Sequence, residues 1–143
     1  MKSQKPIIVD TNVIISALLH RKSPFLELLL TRKHRFFICE LSIIELFNNK
    51  EKIVKFSKLT EDEITKIFHV LLRNLNLFKE DLIVKSNWQM AYRMCKDIDE
   101  TDTPFIALTL ELDGLLLTGD KRLKNKLKAE GFDSFFEIAK TQN

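Results

Sequence analysis

Asp10, Glu45, Asp102 and Asp120 each stand at a boundary between an apolar run and a turn or helix start, in IIVDTN, LSIIEL, ETDTPF and LLLTGDKRL. A carboxylate that ends a strand lies at the C-terminal edge of a sheet, where ligands collect in open α/β folds. Several carboxylates converging there repel one another, and such a cluster is tolerated only when protons or metal ions neutralise it. The pattern therefore points to metal-dependent phosphate chemistry. Hard oxygen donors with no Cys or His among them favour Mg²⁺ or Mn²⁺ over zinc. Taken singly, each acid has a plainer reading. Asp10, Asp102 and Asp120 precede expected helices and could be N-caps, and Glu45 stands at capping-box distance from Ser42. Capping does not explain why Asp10, Glu45 and Asp120 follow apolar runs, nor the small polar groups beside the acids such as Thr11, Asn12, Thr118 and Gly119.

The elements that must position these acids can be read from patterning. Pro6 to Val9 and Phe36 to Cys39 are short apolar runs of buried-strand type, and Gly114 to Asp120 is the clearest strand and turn. Helices are expected over Asn12 to Leu19, from Pro24 with Ser23 as cap, and from Ser42 through at least Glu51 with Ile43, Ile44, Phe47, Ile53 and Val54 as its apolar face. Thr60-Glu61-Asp62-Glu63 has capping-box form and opens a helix whose buried face is Ile64, Ile67, Phe68, Leu71, Leu72 and Leu75. His69 is expected to pack within that helix. Asp81 to Val84 reads as a short strand or extended link, and helices follow over Asn87 to Lys96, Pro104 to Leu112 and Lys121 to Glu130, the last closed by Gly131. The tail FDSFFEIA could add an edge strand. Strands alternating with helices predict an α/β fold, a short parallel sheet sandwiched between helices in α/β/α layers, as one domain over residues 1–143.

Composition narrows the class. The chain has 143 residues, 45% of them hydrophobic, enough for a core. No run approaches the roughly 18 apolar residues of a membrane span, and the stretch after the basic MKSQKP is broken by Asp10 and Asn12 too soon for a signal-peptide core. Cys39 and Cys95 lack zinc spacing, so a cytoplasmic protein with reduced thiols is expected. The net charge of +3 is small, but the excess lies at the chain ends: seven Lys/Arg against two acids in residues 1–35, and six against three in residues 121–143. Lys121, Arg122, Lys124, Lys126 and Lys128 could form a positive rim beside the acidic pocket and attract a polyanion, or simply a solvated helix face. Trp88 and Tyr92, one helical turn apart, suit a core or subunit contact better than base stacking.

IIVDTNVIISALL, SIIEL, DTPFIALTLELDG and LLLTGDKRL resemble, in order, the four acidic motifs of the PIN-domain ribonucleases. The single-domain length is similar to that of the VapC-like toxins of type II toxin–antitoxin pairs. The resemblance implies that Asp10, Glu45, Asp102 and Asp120 bind one or two Mg²⁺ or Mn²⁺ ions for hydrolysis of RNA, leaving a 3′-hydroxyl and a 5′-phosphate. It also implies an RNA substrate, a cognate antitoxin and a homodimer. Asn12, Asp99 and Thr118 are possible supporting residues, and Lys121, Arg122 and Lys124 possible RNA contacts. A haloacid-dehalogenase-like phosphatase would want an Asp two residues after the nucleophile, where Asn12 stands, and a receiver domain would want an acidic pair at the first strand. A non-catalytic PIN-like RNA- or protein-binding module is the alternative from another class, but degenerate members should lose some of the four acids; a PIN nuclease of RNA processing rather than a toxin is the other alternative.

Overall fold

In the computed structural model, which describes residues 4–138, the central layer is four short strands: β1 (Ile7–Val9), β2 (Phe36–Cys39), β3 (Leu75–Phe78) and β4 (Leu115–Leu117). All pairings are parallel, in the order β3-β2-β1-β4, with Ile8 opposite both Phe37 and Leu116. Alternate side chains point to opposite faces. Ile7, Val9, Phe36, Ile38 and Leu117 pack with α1 (Thr11–Leu19), α2 (Pro24–Leu30), α3 (Glu40–Asn48), α4 (Lys50–Phe56) and α5 (Glu61–Asn74). Ile8, Cys39 and Leu116 face the other way, against α6 (Lys85–Cys95), α7 (Thr103–Glu111) and α8 (Lys121–Ala129). The sheet is thus covered on both sides, which is why β1 reads as an unbroken apolar run. The α/β/α expectation is met.

Local signals behave as their chemistry dictates. Thr60 accepts from the Glu63 amide at 3.2 Å while Glu63 accepts from the Thr60 amide at 3.0 Å, completing the capping box. Gly131 ends α8 with φ +95, a left-handed conformation that costs other residues a Cβ clash. Pro24 occupies the first turn of α2, but the Ser23 hydroxyl makes no cap bond and instead lies 3.2 Å from the Ser16 hydroxyl. The tail contributes a parallel bridge, Phe135 beside Leu116, rather than a strand, with the Phe136 amide donating to Leu116 O at 2.9 Å.

Several expectations are corrected. Leu75 is not the last buried residue of α5 but the first of β3, because pairing with β2 from Leu75 to Phe78 overrides helical periodicity, and the Asn76 side chain adds a bond from Nδ2 to Phe36 O at 2.9 Å. Leu72 is 42% exposed and His69 is exposed, so α5 buries a narrower stripe than its apolar content suggests. Residues 81–84 form no strand; a short 3-10 turn, Glu80–Leu82, occupies that stretch. The helix expected from Ser42 starts at Glu40 and breaks at Asn49, and of its expected apolar face only Ile53 is buried. Trp88 packs against the second core cluster, whereas Tyr92 is exposed.

Gly114 sits where two chain segments almost touch. A Cβ there would lie 2.5 Å from Pro6 O and 2.7 Å from Ile8 Cδ1. Gly114→Ala is therefore expected to destabilise the fold by ~2 kcal/mol, the scale of overpacking in a rigid core. Urea denaturation checks it, with the midpoint falling at unchanged slope.

Candidate active site

The chain runs from β1 outward through β2 to β3, then returns to place β4 on the other side of β1. The order reverses between β1 and β4, and ligands of open α/β sheets bind in the crevice beyond the strand ends at such a point. Asp10 follows β1, and Thr118 and Asp120 follow β4. The Asp10 amide still donates to Leu117 O at 3.0 Å, so the two strand ends are held in register up to the carboxylate.

Asp10 is 5% exposed. One carboxylate oxygen, Oδ2, accepts from Thr118 Oγ1 at 2.8 Å, and the other, Oδ1, from the Asn12 amide at 3.2 Å. Burial pushes its pKa up; the Thr118 and Asn12 hydrogen bonds oppose this, and the charges of Glu45 and Asp120 add to it. Thr118 Oγ1 also accepts from the Asp120 amide at 3.1 Å, so one buried hydroxyl ties the ends of β1 and β4 together. Asp120 is exposed and caps α8, Oδ1 accepting from the Leu123 amide at 3.0 Å.

Glu45 comes from the middle of α3. Its capping-box reading fails, because α3 begins at Glu40 and Glu45 lies a turn too deep. Its Oε1 accepts from Thr11 Oγ1 at 2.7 Å, and Thr11 Oγ1 lies 2.9 Å from Ser42 Oγ. Ser42 and Leu46 are the buried face of α3. The helix roll that brings Glu45 to Thr11 turns Ile43, Ile44 and Phe47 outward, 41, 57 and 73% exposed. Thr11 and Ser42 were not singled out by sequence reasoning as holding Glu45. The only available signal was a Thr directly after the first acid and a Ser three residues before the second.

Asp102 precedes α7 but makes no side-chain cap bond, which removes its plainer reading. Its carboxyl is pushed up to about 7, first by burial and then by the charges of Asp10, Asp99, Asp120 and Glu45. Asp102 therefore feels the charges of the other three candidate acids, and Asp10 those of Glu45 and Asp120. Asp99 contributes charge, but its own Oδ1 is occupied by the Thr101 amide at 3.0 Å and Thr101 Oγ1 at 2.6 Å. Asn12 is exposed on the first turn of α1. Lys121 and Arg122 are exposed and make no ion pair with a described residue, whereas Lys124 is paired with Glu137 at 3.0 Å. Cys39 and Cys95 are buried, and burial pushes both thiols up to about 12, so neither is poised as a nucleophile.

Among the described residues, no three Asp, Glu, His or Cys side chains close into a ready-made metal cage. The donor set nonetheless fits a hard divalent cation: mutually repelling carboxylates, one with no cap partner and a pKa raised to about 7, gain most from a positive charge placed between them. Thr11 fixes the Glu45 carboxylate, so Thr11→Val is expected to lower turnover about tenfold with KM little changed, while Thr11→Ser restores it. Equal loss in both variants would show that packing, not the hydroxyl, matters at this position.

An α/β/α domain with carboxylates along the crevice at its switch point is the architecture of a nuclease family. The model of the PIN domain matches residues 8–133, and the chain belongs to the PIN-domain family. Its members are in general nucleases that use divalent metal ions. No curated protein matches the chain. Among solved structures it is similar in fold to VapBC2 from Rickettsia felis bound to a DNA fragment from their promoter, with TM-score 0.62 and 16% identity, covering 84% of this chain and 92% of that one. It is also similar to PAE2754 from Pyrobaculum aerophilum, with TM-score 0.55 and 13% identity, covering 86% and 79%. Among the described residues, no helix is long and apolar enough to cross a membrane.

Proposed function

We propose that this protein is a Mg²⁺- or Mn²⁺-dependent endoribonuclease and the toxin of a toxin–antitoxin pair. The observation that carries the reading is electrostatic: Asp10 and Asp102 are both raised by burial and by the charges of the other acids at one crevice of a PIN domain. Asp10 and Asp120 would hold the principal ion, with Glu45 and Asp102 completing the set directly or through water. Such an ion, when bound, activates the attacking water and neutralises charge developing on the scissile phosphate. The protein's own part is positional. Thr118 holds Asp10 against the end of β4, Thr11 holds Glu45, and Asp102 would release to solvent, on binding the cation, the proton that burial retains on it. Lys121 and Arg122, free of described ion pairs, lie next to Asp120 and suit phosphates flanking the cut.

The fold shared with VapBC2 supports the toxin role, and the outward-facing Ile43, Ile44 and Phe47 offer an apolar surface for an antitoxin. A homodimer and a cytoplasmic location complete the proposal.

The test is cleavage of mixed single-stranded RNA with Mn²⁺ and with EDTA, with analysis of product ends. Metal-dependent products carrying 3′-hydroxyl and 5′-phosphate ends are expected, and RNA left intact under both conditions overturns the reading. Charge reversal of Lys121 and Arg122 is expected to lower the salt slope of RNA binding by about one for each phosphate that is no longer neutralised. Reversal of Lys124 should do less, because Glu137 already holds it. An unchanged slope in the double variant would place that helix away from the substrate.

A further inference from the structure

We infer that the groove between α1 and α4 is a nucleobase-binding subsite that holds a base of the single-stranded RNA next to the cut; the inference rests on the ribonuclease reading of the acidic crevice. The groove has a volume of about 370 Å³, within the range of small-ligand sites, about 300–1,000 Å³. Its α1 wall carries Asn12 and Ile15 at i, i+3 spacing, and its other wall carries Asn49, Lys52 and Phe56. The groove starts at the crevice itself. Asn12 donates its amide to Asp10 Oδ1, and Asn49 Nδ2 donates to the Glu45 carbonyl oxygen at 2.7 Å. From Asn12 to Leu19 the α1 wall rises about 10 Å at the usual pitch, room for one or two nucleotides.

The lining has the chemistry that reads an unstacked base: an aromatic face, apolar walls and amide groups for edge hydrogen bonds. Phe56 is 60% exposed, although it ends a helix whose Ile53 is buried. Lys55 Nζ lies over one face of the Phe56 ring, 5.4 Å from its centroid, and leaves the other face for a base. Charge favours a polyanion over an apolar small molecule. Of the four lysines between residues 50 and 58, Lys52 lines the groove with no acid beside it in the lining, whereas Lys50 and Lys55 line a neighbouring hollow with Glu51 and Glu61, and among the described residues none of the four is in an ion pair. A base between Ile15 and Phe56 would leave its phosphate near Lys52.

Two readouts keep the subsite and the ribonuclease reading separable. In EDTA, where no cleavage occurs, a short fluorescently labelled single-stranded RNA is titrated with wild type, Phe56→Ala and Lys52→Glu. Stacking on one aromatic is worth enough that Phe56→Ala is expected to weaken binding roughly tenfold, and Lys52→Glu to weaken it and lower the salt slope. In Mn²⁺, the same RNA and copies carrying one abasic nucleotide on either side of the cut are cleaved. Wild type should prefer the intact RNA over one abasic copy about tenfold, and Phe56→Ala should lose that preference while cleaving the abasic copy as fast as wild type does. If wild type fails to cleave but the EDTA affinities fall as stated, the ribonuclease reading fails and with it the placing of the base beside a cut, while base binding in the groove stands. If wild type cleaves and both variants match it in affinity and in preference, the subsite is overturned and the groove is left to a protein segment.

Discussion

Asp10→Asn, Glu45→Gln, Asp102→Asn and Asp120→Asn are each expected to cut RNA hydrolysis by about a hundredfold or more while leaving the fold intact. The size follows from the double role of a bound cation, since losing it removes nucleophile activation and charge stabilisation together. The structure sharpens what each variant tests. Asn at 10 keeps one acceptor oxygen for the Asn12 amide and turns its NH2 toward Thr118 Oγ1, which can rotate to accept, and Asn at 120 can still accept from the Leu123 amide, so helix capping largely survives. At position 102 there is no cap bond to lose. Reduced activity in variants that still unfold in one cooperative transition is therefore a loss of chemistry, not of structure. Initial rates with Mn²⁺ measure it, and full activity in two of the four variants would remove these acids from the site.

The second large effect is on the metal-free protein. In the unfolded chain Asp102 titrates at its ordinary value of 3.8, whereas in the fold its carboxyl is pushed up to about 7. The native state therefore holds a proton that the unfolded chain has released between about pH 4 and pH 7. Stability of the metal-free fold must fall as pH rises through that window, with the full penalty present above about pH 7. The gap would amount to ~4 kcal/mol for an isolated group, and screening at a half-buried carboxylate reduces it to ~2 kcal/mol. Asp10, also raised by burial, adds in the same direction.

Asp102→Asn in EDTA should consequently melt higher than wild type at pH 8 and with it at pH 4. Mn²⁺ should reverse the ranking at pH 8. A ligand at a hundred times its Kd stabilises by about 2.7 kcal/mol, a rise of roughly 8 °C in Tm for a domain of this size. The variant, short of one donor, should gain less. Melts that do not respond to Mn²⁺ in either protein would sink the metal-site reading.

How much of this was legible before folding depends on the range of the interaction involved. Asp10 and Asp120 could be placed at strand ends from local patterning alone, because IIV is a short apolar run stopped by an acid, LLL one stopped by Thr118-Gly119 and then an acid, and helix follows each. The capping box at Thr60 and the left-handed Gly131 were equally local. The α/β/α layering followed from the alternation of strands and helices, and the four acidic motifs carried the family.

Other features depended on residues distant in sequence. Leu75 to Phe78 became a strand because β2 was there to pair with it, across some 40 residues. The roll of α3 was set by Thr11 and Ser42, 31 residues apart, and this is why Glu45 faces the crevice while Ile43, Ile44 and Phe47 face solvent. Thr118 reaches Asp10 across 108 residues. By itself, the sequence determined which residue types stop at the edge of the sheet, since hydrophobic runs and caps are decided within a few residues. Only the tertiary structure decided which carboxylates are buried, which hydroxyl holds each of them and where a groove opens beside them, because burial and charge coupling are sums over neighbours that the chain brings together only when folded.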